Sequence, residues 1–429
     1  MRADEIENTL RAQSLPIAVP QGEDWVAPAY QGLSIANLAS TIAALLGVDL
    51  PGALPALPRE TWNDWAAGLR RVVLVIMDGL GYPLLRSRLA AGDGEALARV
   101  ADAGSLIPLT SVFPSTTAAA LVSLQTGVAP ATHGWLAWEM YLREVGTAAN
   151  GILLCPIWSR HRDLLLDWGL RPETLIKVPT LASCLGASGI QTAALASRQF
   201  EGSGYTQMLY RGMAKYWGHA HASDFWTLLR RILLDTSDQR AFVSAYWSGI
   251  DTIGHSYGPD SDYWQAEFRT MCHLLEHEFL ARLSPAEREG TALLITADHG
   301  QLNVPPDQVI RADDDPVLSG HLLVPVVGES RAAFLHPRPG RADLIREHLT
   351  TGFPGRFEVV SSAAAMDSGL FGSPTCDESY SRSGELLVLG RGRTALLRTR
   401  PRLPLLGKHG GLSADEMLVP LVATRLEAL

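Results

Sequence analysis

Cysteine is scarce in this chain and scattered where it occurs: Cys155, Cys184, Cys272 and Cys376 form no CxxC pair. That spacing excludes a zinc ribbon and a disulfide framework, and it predicts reduced, mostly buried thiols. Positive charge is also in deficit, with 36 Lys and Arg against 45 Asp and Glu and a formal net charge of -9. A broad basic surface for nucleic-acid backbones is therefore not expected, and no nucleic-acid polymer is a predicted partner. No apolar run approaches the length of a membrane span, and the opening Met1-Arg2-Ala3-Asp4-Glu5-Ile6-Glu7 brings acidic charge rather than a signal-peptide core. A cytoplasmic location without a membrane partner is the expectation. Internal repeats and low-complexity tracts are missing as well.

What is present is apolar mass: 429 residues, 47% hydrophobic, suit one large domain carrying an insertion, or two to three domains. The segment 1–70 is rich in Pro, Ala and Trp, with a helix predicted over 34–46 and a Pro-broken stretch over 51–58, and reads as an extension packed on the core. From Arg71 onward strand-like runs alternate with predicted helices at 117–125, 180–187, 224–234 and 262–283. Such alternation predicts an α/β fold, an αβα sandwich around a mainly parallel sheet. After His299 the pattern pauses in a loop rich in Pro and Asp (Pro305, Pro306, Asp313, Pro316), followed by strand, helix, strand and strand at 332–335, 341–349, 357–360 and 385–389. The predicted division is a core over 71–325, a small inserted α+β cap over 326–405, and a return to the core over 406–429 with 417–422 as its strand.

Three of the buried-strand runs end in acid and imidazole. Asp78 follows Val72-Val73-Leu74-Val75-Ile76-Met77, Asp251 and His255 follow Phe242-Val243-Ser244-Ala245-Tyr246-Trp247, and Asp298 and His299 follow Leu293-Leu294-Ile295-Thr296-Ala297. His409 falls in the crossover before the last strand. In an open α/β sheet the strand ends on one side share a crevice, so residues remote in sequence converge there. Asp251 and His255 are one helical turn apart, which sets both on one side as shared metal ligation requires, although one such pair alone reads first as a surface Asp–His hydrogen bond and only the clusters together turn the reading to metal. Six oxygen and imidazole groups without thiolate suit two divalent ions, Zn²⁺ first, with Mn²⁺ and Fe²⁺ as alternatives. Two such ions polarise a phosphoryl oxygen, lower the pKa of a nucleophile and stabilise a leaving oxygen. The candidate nucleophile is a hydroxyl in Phe113-Pro114-Ser115-Thr116-Thr117-Ala118-Ala119-Ala120, where a Pro-containing turn feeds a small-residue helix. At a helix N-terminus a hydroxyl sits in positive potential beside backbone N–H donors, and without the acid and imidazole clusters it would be an ordinary N-cap.

The ordered set Met77-Asp78-Gly79-Leu80-Gly81, Phe113-Pro114-Ser115-Thr116-Thr117, Thr126-Gly127 with Pro130 and His133-Gly134, Asp251 with His255, Thr296-Ala297-Asp298-His299-Gly300 and His409-Gly410-Gly411 resembles the alkaline phosphatase superfamily. Within it, the likeness is to the type I phosphodiesterase/nucleotide pyrophosphatase family, over about 72–422. The resemblance implies one ion held by Asp78, Asp298 and His299 and another by Asp251, His255 and His409. It implies Thr117 as the nucleophile bridging towards the metals, with Thr116 as second choice. It further implies in-line attack, a covalent Thr intermediate released by water, and overall retention at phosphorus. The implied substrate is a small-molecule phosphoester, a nucleotide among the candidates. A phosphomonoesterase on the same scaffold and a non-catalytic binding protein retaining the fold are the alternatives, and the oligomeric state is left open.

Departures from the family pattern fall at the substrate pocket. Relatives place a phosphate-binding Asn downstream of the nucleophile, where the equal-length position here is Trp138, with Asn150 as a possible replacement. Ala118-Ala119-Ala120 stands where Phe-Pro-Asn is common, so the pocket is expected to have diverged. Trp138 and Thr116 are the expected substrate contacts, and Trp135, Trp138 and Tyr141 form either an aromatic wall or packed core. A competing signature, His273-Leu274-Leu275-Glu276-His277, matches the HxxEH pattern of inverted zinc peptidases but lacks a distal acidic ligand, and reads as a solvated helix face. His219 and His221 read as loop residues and His133 as structural.

Overall fold

The computed structural model describes residues 3–18, 20, 22–399 and 405–429. Met1, Arg2 and the stretch 400–404 of the expected cap lie outside the described residues. In chain order the strands are β1 (Arg71–Met77), β2 (Ser105–Thr110), β3 (Glu139–Leu142), β4 (Thr147–Asn150), β5 (Cys155–Pro156), β6 (Gln191–Ser197), β7 (Lys215–His219), β8 (Ala241–Trp247) and β9 (Thr291–Thr296). There follow β10 (Leu302–Asn303), β11 (Val309–Arg311), β12 (Leu322–Gly328), β13 (Ala332–Pro337), β14 (Phe357–Ser361), β15 (Leu386–Gly390), β16 (Ala395–Leu397), β17 (Gly407–Lys408) and β18 (Leu418–Arg425).

Every residue of β1 and of β9 is buried, as befits strands covered on both faces that need no polar alternation. They sit in the middle of a seven-stranded sheet of order β2-β18-β9-β1-β8-β6-β7. β1 is parallel to β8 and β9, and β6 to β7 and β8, whereas β18 runs antiparallel between β2 and β9. The mainly parallel sheet and the returning last strand are as expected. Register matters more for function: Met77 lies opposite Trp247 and Ile76 opposite Thr296, so β1, β8 and β9 end at one level.

A second seven-stranded sheet has the order β14-β15-β13-β12-β3-β4-β5. It packs the helix Ala342–Gly352 over its own core of Leu335, Ile345, Leu349, Phe357 and Val388. This sheet differs from the expected inserted segment in where its chain comes from. β3–β5 lie within the span predicted for the core, and join through the single pairing of Gly328 with Glu139. Strands this short carry no local signal of which open sheet edge will take them. Two small ladders, β10 with β17 and β11 with β16, tie the second sheet's chain back to the first.

The helices follow the expected periodicities closely, with one break. The predicted helix over 262–283 is an α-helix Asp262–Leu274 followed by a π-turn Leu275–Phe279. His273 and His277 face each other there at 4.3 Å between ring centroids while Glu276 pairs with Arg99 at 2.6 Å, a surface helix face rather than a metal site. His219 is no loop residue: it ends β7, buried against Phe225 and Trp247. His221 precedes the helix Ala222–Asp235. All four cysteines are free thiols, with Cys155 and Cys272 buried and Cys184 and Cys376 half-buried. Among the described residues no helix is long and apolar enough to cross a membrane.

Candidate functional site

The three level strand ends deliver their side chains to one point. Asp78 follows β1 directly, and Asp298 and His299 follow β9 after one residue. Asp251 and His255 lie on the helix Gly249–Tyr257 that starts just beyond β8. The antiparallel β10–β17 ladder, with Leu302 opposite Lys408, then swings His409 over His299, their rings stacked at 3.7 Å. Gly79 has φ +76, and a Cβ there would stand 3.0 Å from the backbone of Asp251, so glycine lets the β1 and β8 ends close together.

The nucleophile candidate comes from the opposite side. The helix Thr117–Thr126 begins at Thr117, with Thr116 in extended conformation before it. Thr117 Oγ1 is 3.0 Å from His299 Nε2 and 3.5 Å from Asp78 Oδ1. The turn before it is bonded to the His409 loop, since Ser115 Oγ donates to the Gly411 carbonyl at 2.7 Å and the Ser115 carbonyl lies 3.1 Å from His409 Nδ1.

Hydrogen bonds assign the imidazole tautomers. Nδ1 of His255, His299 and His409 faces the carbonyl of Gly407, Gly300 and Ser115 respectively, at 2.8, 3.0 and 3.1 Å. Each ring therefore donates from Nδ1 and turns a bare Nε2 lone pair inward, the arrangement that prepares histidine for metal. Nε2 of His255 and of His409 stand 3.2 Å apart, a contact between two lone pairs that a cation between them would relieve. Nearby, Asp298 Oδ1 accepts the N–H groups of His299 and Gly79, while its Oδ2 is buried without a partner. Asp78 accepts the Tyr246 hydroxyl. Burial, reinforced by the charges of Asp298 and Asp251, pushes the Asp78 carboxyl well above the usual range. Burial also holds His409 well below the ordinary imidazole value, helped by the neighbouring His299 and His255. Two groups can bring ligand atoms within 4.8 Å of one another: Asp251, His255 and His409, and Asp78, Asp251 and His299. The donor set, the orphaned carboxylate oxygen and the facing lone pairs fit divalent cations.

Other expected contacts sort less uniformly. Trp138 is 41% exposed and lines two cavities that meet at Thr117, one of about 750 Å³ and one of about 270 Å³. Trp135 is fully buried beneath the Arg382 guanidinium, and Tyr141 stacks obliquely on His336, so only Trp138 of the three aromatics reaches the site. Asn150 does not replace the missing Asn: its Oδ1 caps a turn by accepting the N–H groups of Ile152 and Leu153. Thr116 Oγ1 donates at 2.6 Å to Glu329, a residue with no motif around it. The same Glu329 oxygen accepts the Trp138 N–H at 2.6 Å, and desolvation pushes this carboxyl up to about 7 despite those two donors. Gly410, with φ +111, leaves room for it, as a Cβ there would come within 2.4 Å of Glu329 Cβ. Gln301 donates to Asp251, and Lys408 lines the larger cavity, its ammonium lowered to about 8 by burial.

A family profile described as type I phosphodiesterase / nucleotide pyrophosphatase matches residues 72–412. No curated relative matches the sequence at a significant level. Among solved structures, murine ectonucleotide pyrophosphatase / phosphodiesterase 5 superposes with a TM-score of 0.64 at 18% identity, over 82% of this chain and 87% of that one. An inactive variant of that murine protein was solved in complex with AMP, with the same score and identity over 83% of this chain and 88% of that one. Phosphonoacetate hydrolase from Sinorhizobium meliloti, in complex with phosphonoformate, has a TM-score of 0.62 at 19% identity over 88% of this chain and 93% of that one. At such identities the structural likeness speaks for the fold alone. The profile, spanning every one of the convergent acid and imidazole residues, carries more, and the chain belongs to the type I phosphodiesterase/nucleotide pyrophosphatase family of phosphoric ester hydrolases.

Proposed function

We propose that this enzyme hydrolyses a phosphodiester or pyrophosphate bond of a small molecule, with Thr117 as nucleophile. Two divalent cations, Zn²⁺ first among them, would be held by Asp78, Asp298 and His299 and by Asp251, His255 and His409. The observation that carries the proposal is the Thr117 hydroxyl, set 3.0 Å from one of three inward-facing imidazole nitrogens and 3.5 Å from Asp78 Oδ1. When bound, such ions lower a nucleophile's pKa and stabilise charge on phosphoryl and leaving oxygens.

The chain's own residues supply position and polarity. The N–H groups of Ala119 and Ala120 already donate to the Thr116 carbonyl at 3.1 and 2.8 Å, so it is the N–H groups of Thr117 and Ala118, at the positive end of the helix dipole, that would meet an anionic phosphoryl oxygen at Thr117. Attack forms a bond from Thr117 Oγ1 to phosphorus and breaks the bond to the leaving oxygen; water then cleaves the phospho-threonine. Two inversions give overall retention. Phe200, Tyr205, Tyr210 and Tyr246 line the smaller cavity, an aromatic wall for an aryl or nucleobase group. A nucleotide is thus a reasonable substrate class, and the AMP held by the murine relative is in keeping with it.

The test is a pair of initial rates, on a phosphodiester and a phosphomonoester sharing one chromogenic leaving group, with Zn²⁺ or Mn²⁺ supplied. The diester is expected to be preferred, and Thr117→Ala to lower its rate by about 10³-fold or more. Preference for the monoester would make the enzyme a phosphatase, and turnover surviving in Thr117→Ala would remove the nucleophile.

A further inference from the structure

The larger cavity holds a cation that hydrolysis at Thr117 leaves unused. Four basic side chains are buried among the described residues: Arg71, Arg331, Arg382 and Lys408. The first donates to the carbonyls of Leu233, Ala286, Glu287 and Glu289; the second pairs with Glu416; the third bonds Gly134 and Glu144. Lys408 is the exception: it is 4% exposed, yet has neither hydrogen bond nor ion pair with any described residue. A lysine this buried is almost always paired. Here the stem is covered while the ammonium, which is not fully enclosed, keeps its accessible surface in the cavity, where an anion can reach it.

Its place is fixed and its direction is informative. The backbone of Lys408 is held in β17 against β10, and the side chain lines the same cavity as Thr117. Glu329, the acid that acts on it, has one oxygen committed to Thr116 and Trp138 and forms no ion pair with Lys408. Arg398 on the same wall is neutralised by Glu139 at 3.1 Å, whereas Arg160 lies exposed at the rim. At about 750 Å³ the cavity has room for an ester group well beyond the reacting phosphorus.

We propose that Lys408, seconded by Arg160 at the rim, binds a second anionic group of the substrate, a carboxylate or a terminal phosphate, while the reacting phosphorus sits at Thr117. This assignment rests on the hydrolase function proposed above. The substrate is then a phosphoester whose retained or leaving part carries its own negative charge. The aromatic cavity on the other side of Thr117 is left for the uncharged part.

Calorimetry on the metal-loaded protein tests the binding half with three non-hydrolysable phosphonate monoesters, alike except for a terminal carboxylate, phosphate or carboxamide. Wild type is expected to bind one or both anionic ligands about 10- to 100-fold more tightly than the carboxamide. The Lys408→Met variant should lose that preference and Lys408→Arg should keep most of it, with metal content measured for each because His409 is adjacent. The arm that wins names the anion. Equal affinity for all three ligands in wild type, or full discrimination in a metal-loaded Lys408→Met, overturns the proposal. Chromogenic diesters bearing the same three groups supply the kinetic half, in which Lys408→Met should raise KM for the charged substrate far more than it lowers kcat. If no diester is turned over while the calorimetric preference persists and depends on Lys408, the hydrolase proposal fails and the anion site stands.

Discussion

Inside the wall behind the nucleophile helix, His133 is buried with both nitrogens engaged. Nδ1 accepts the Trp135 N–H at 3.0 Å, so the proton resides on Nε2, 3.0 Å from Ser123 Oγ. Burial, with the Arg382 charge adding to it, lowers its pKa from 6.5 to about 3. Between those two values the unfolded chain holds a proton that the folded chain refuses, so stability is fully present above pH 6.5 and is lost as pH falls towards 3. The slope from this one residue approaches about 1.4 kcal/mol per pH unit. His133→Gln should start less stable at pH 7.5 for want of the imidazole's bonds, yet lose less on acidification, as urea midpoints at pH 7.5, 6 and 5 would show. Parallel curves for the two proteins would refute the assignment. Which site residues could be read from sequence follows the same local logic. Asp78, Asp298 and His299 follow unbroken apolar runs, so their polarity stands out against the strand. Glu329 and Gln301 sit in loops and Lys408 in a two-residue strand, places where a polar residue is unremarkable, and only the folded chain brings them to the site. Tyr246, whose hydroxyl meets Asp78, is the one with a faint signal, a tyrosine near the end of a buried strand whose other polar residue is Ser244.

Elements meet at the site through one buried ion pair. Arg331, at the turn between β12 and β13, and Glu416, before β18, are both fully buried and 3.0 Å apart. Glu416 also accepts the Gly411 N–H at 2.8 Å and the Ser413 hydroxyl at 2.7 Å, so the pair locks the second sheet to the loop that carries His409. Removing one partner leaves an uncompensated charge in the interior, and Arg331→Met is expected to cost about 3–5 kcal/mol. The double variant Arg331→Met/Glu416→Gln should recover part of that loss in urea unfolding; a double variant no better than the sum of the singles would show that the pair does not act as a unit. Helix and strand existence was legible because hydrophobic period is local, from the helix at 117–126 to the returning strand at 418–425. The partnership of β3–β5 with the second sheet was not, since an edge pairing between residues 139 and 328 leaves no periodic trace in either segment.

Across the whole molecule, residues from Asp78 to His409 are drawn to one point although burial and like charges oppose it. Three carboxylates share a site in which Asp78 is already pushed towards protonation by burial and by its two acidic neighbours. Two bare imidazole nitrogens face each other at 3.2 Å. The fold keeps them together through the level ends of β1, β8 and β9 and the β10–β17 ladder, each made for other reasons by backbone pairing and core burial. A cation that binds only this arrangement converts the repulsion into attraction and stabilises the native state by mass action, about 2.7 kcal/mol per site at a free concentration a hundredfold above Kd. Chelation should therefore lower Tm and abolish turnover together, and Zn²⁺ added back should restore both, with metal analysis of the restored protein giving close to two equivalents. Because the proposed ligands come from both the β1–β8–β9 ends and the loop after β17, Asp251→Ala and His409→Ala should each reduce the metal-dependent part of the Tm shift as well as turnover. A Tm indifferent to chelation, in a protein still active after it, would mean that protons, not metal, relieve the repulsion among the six groups.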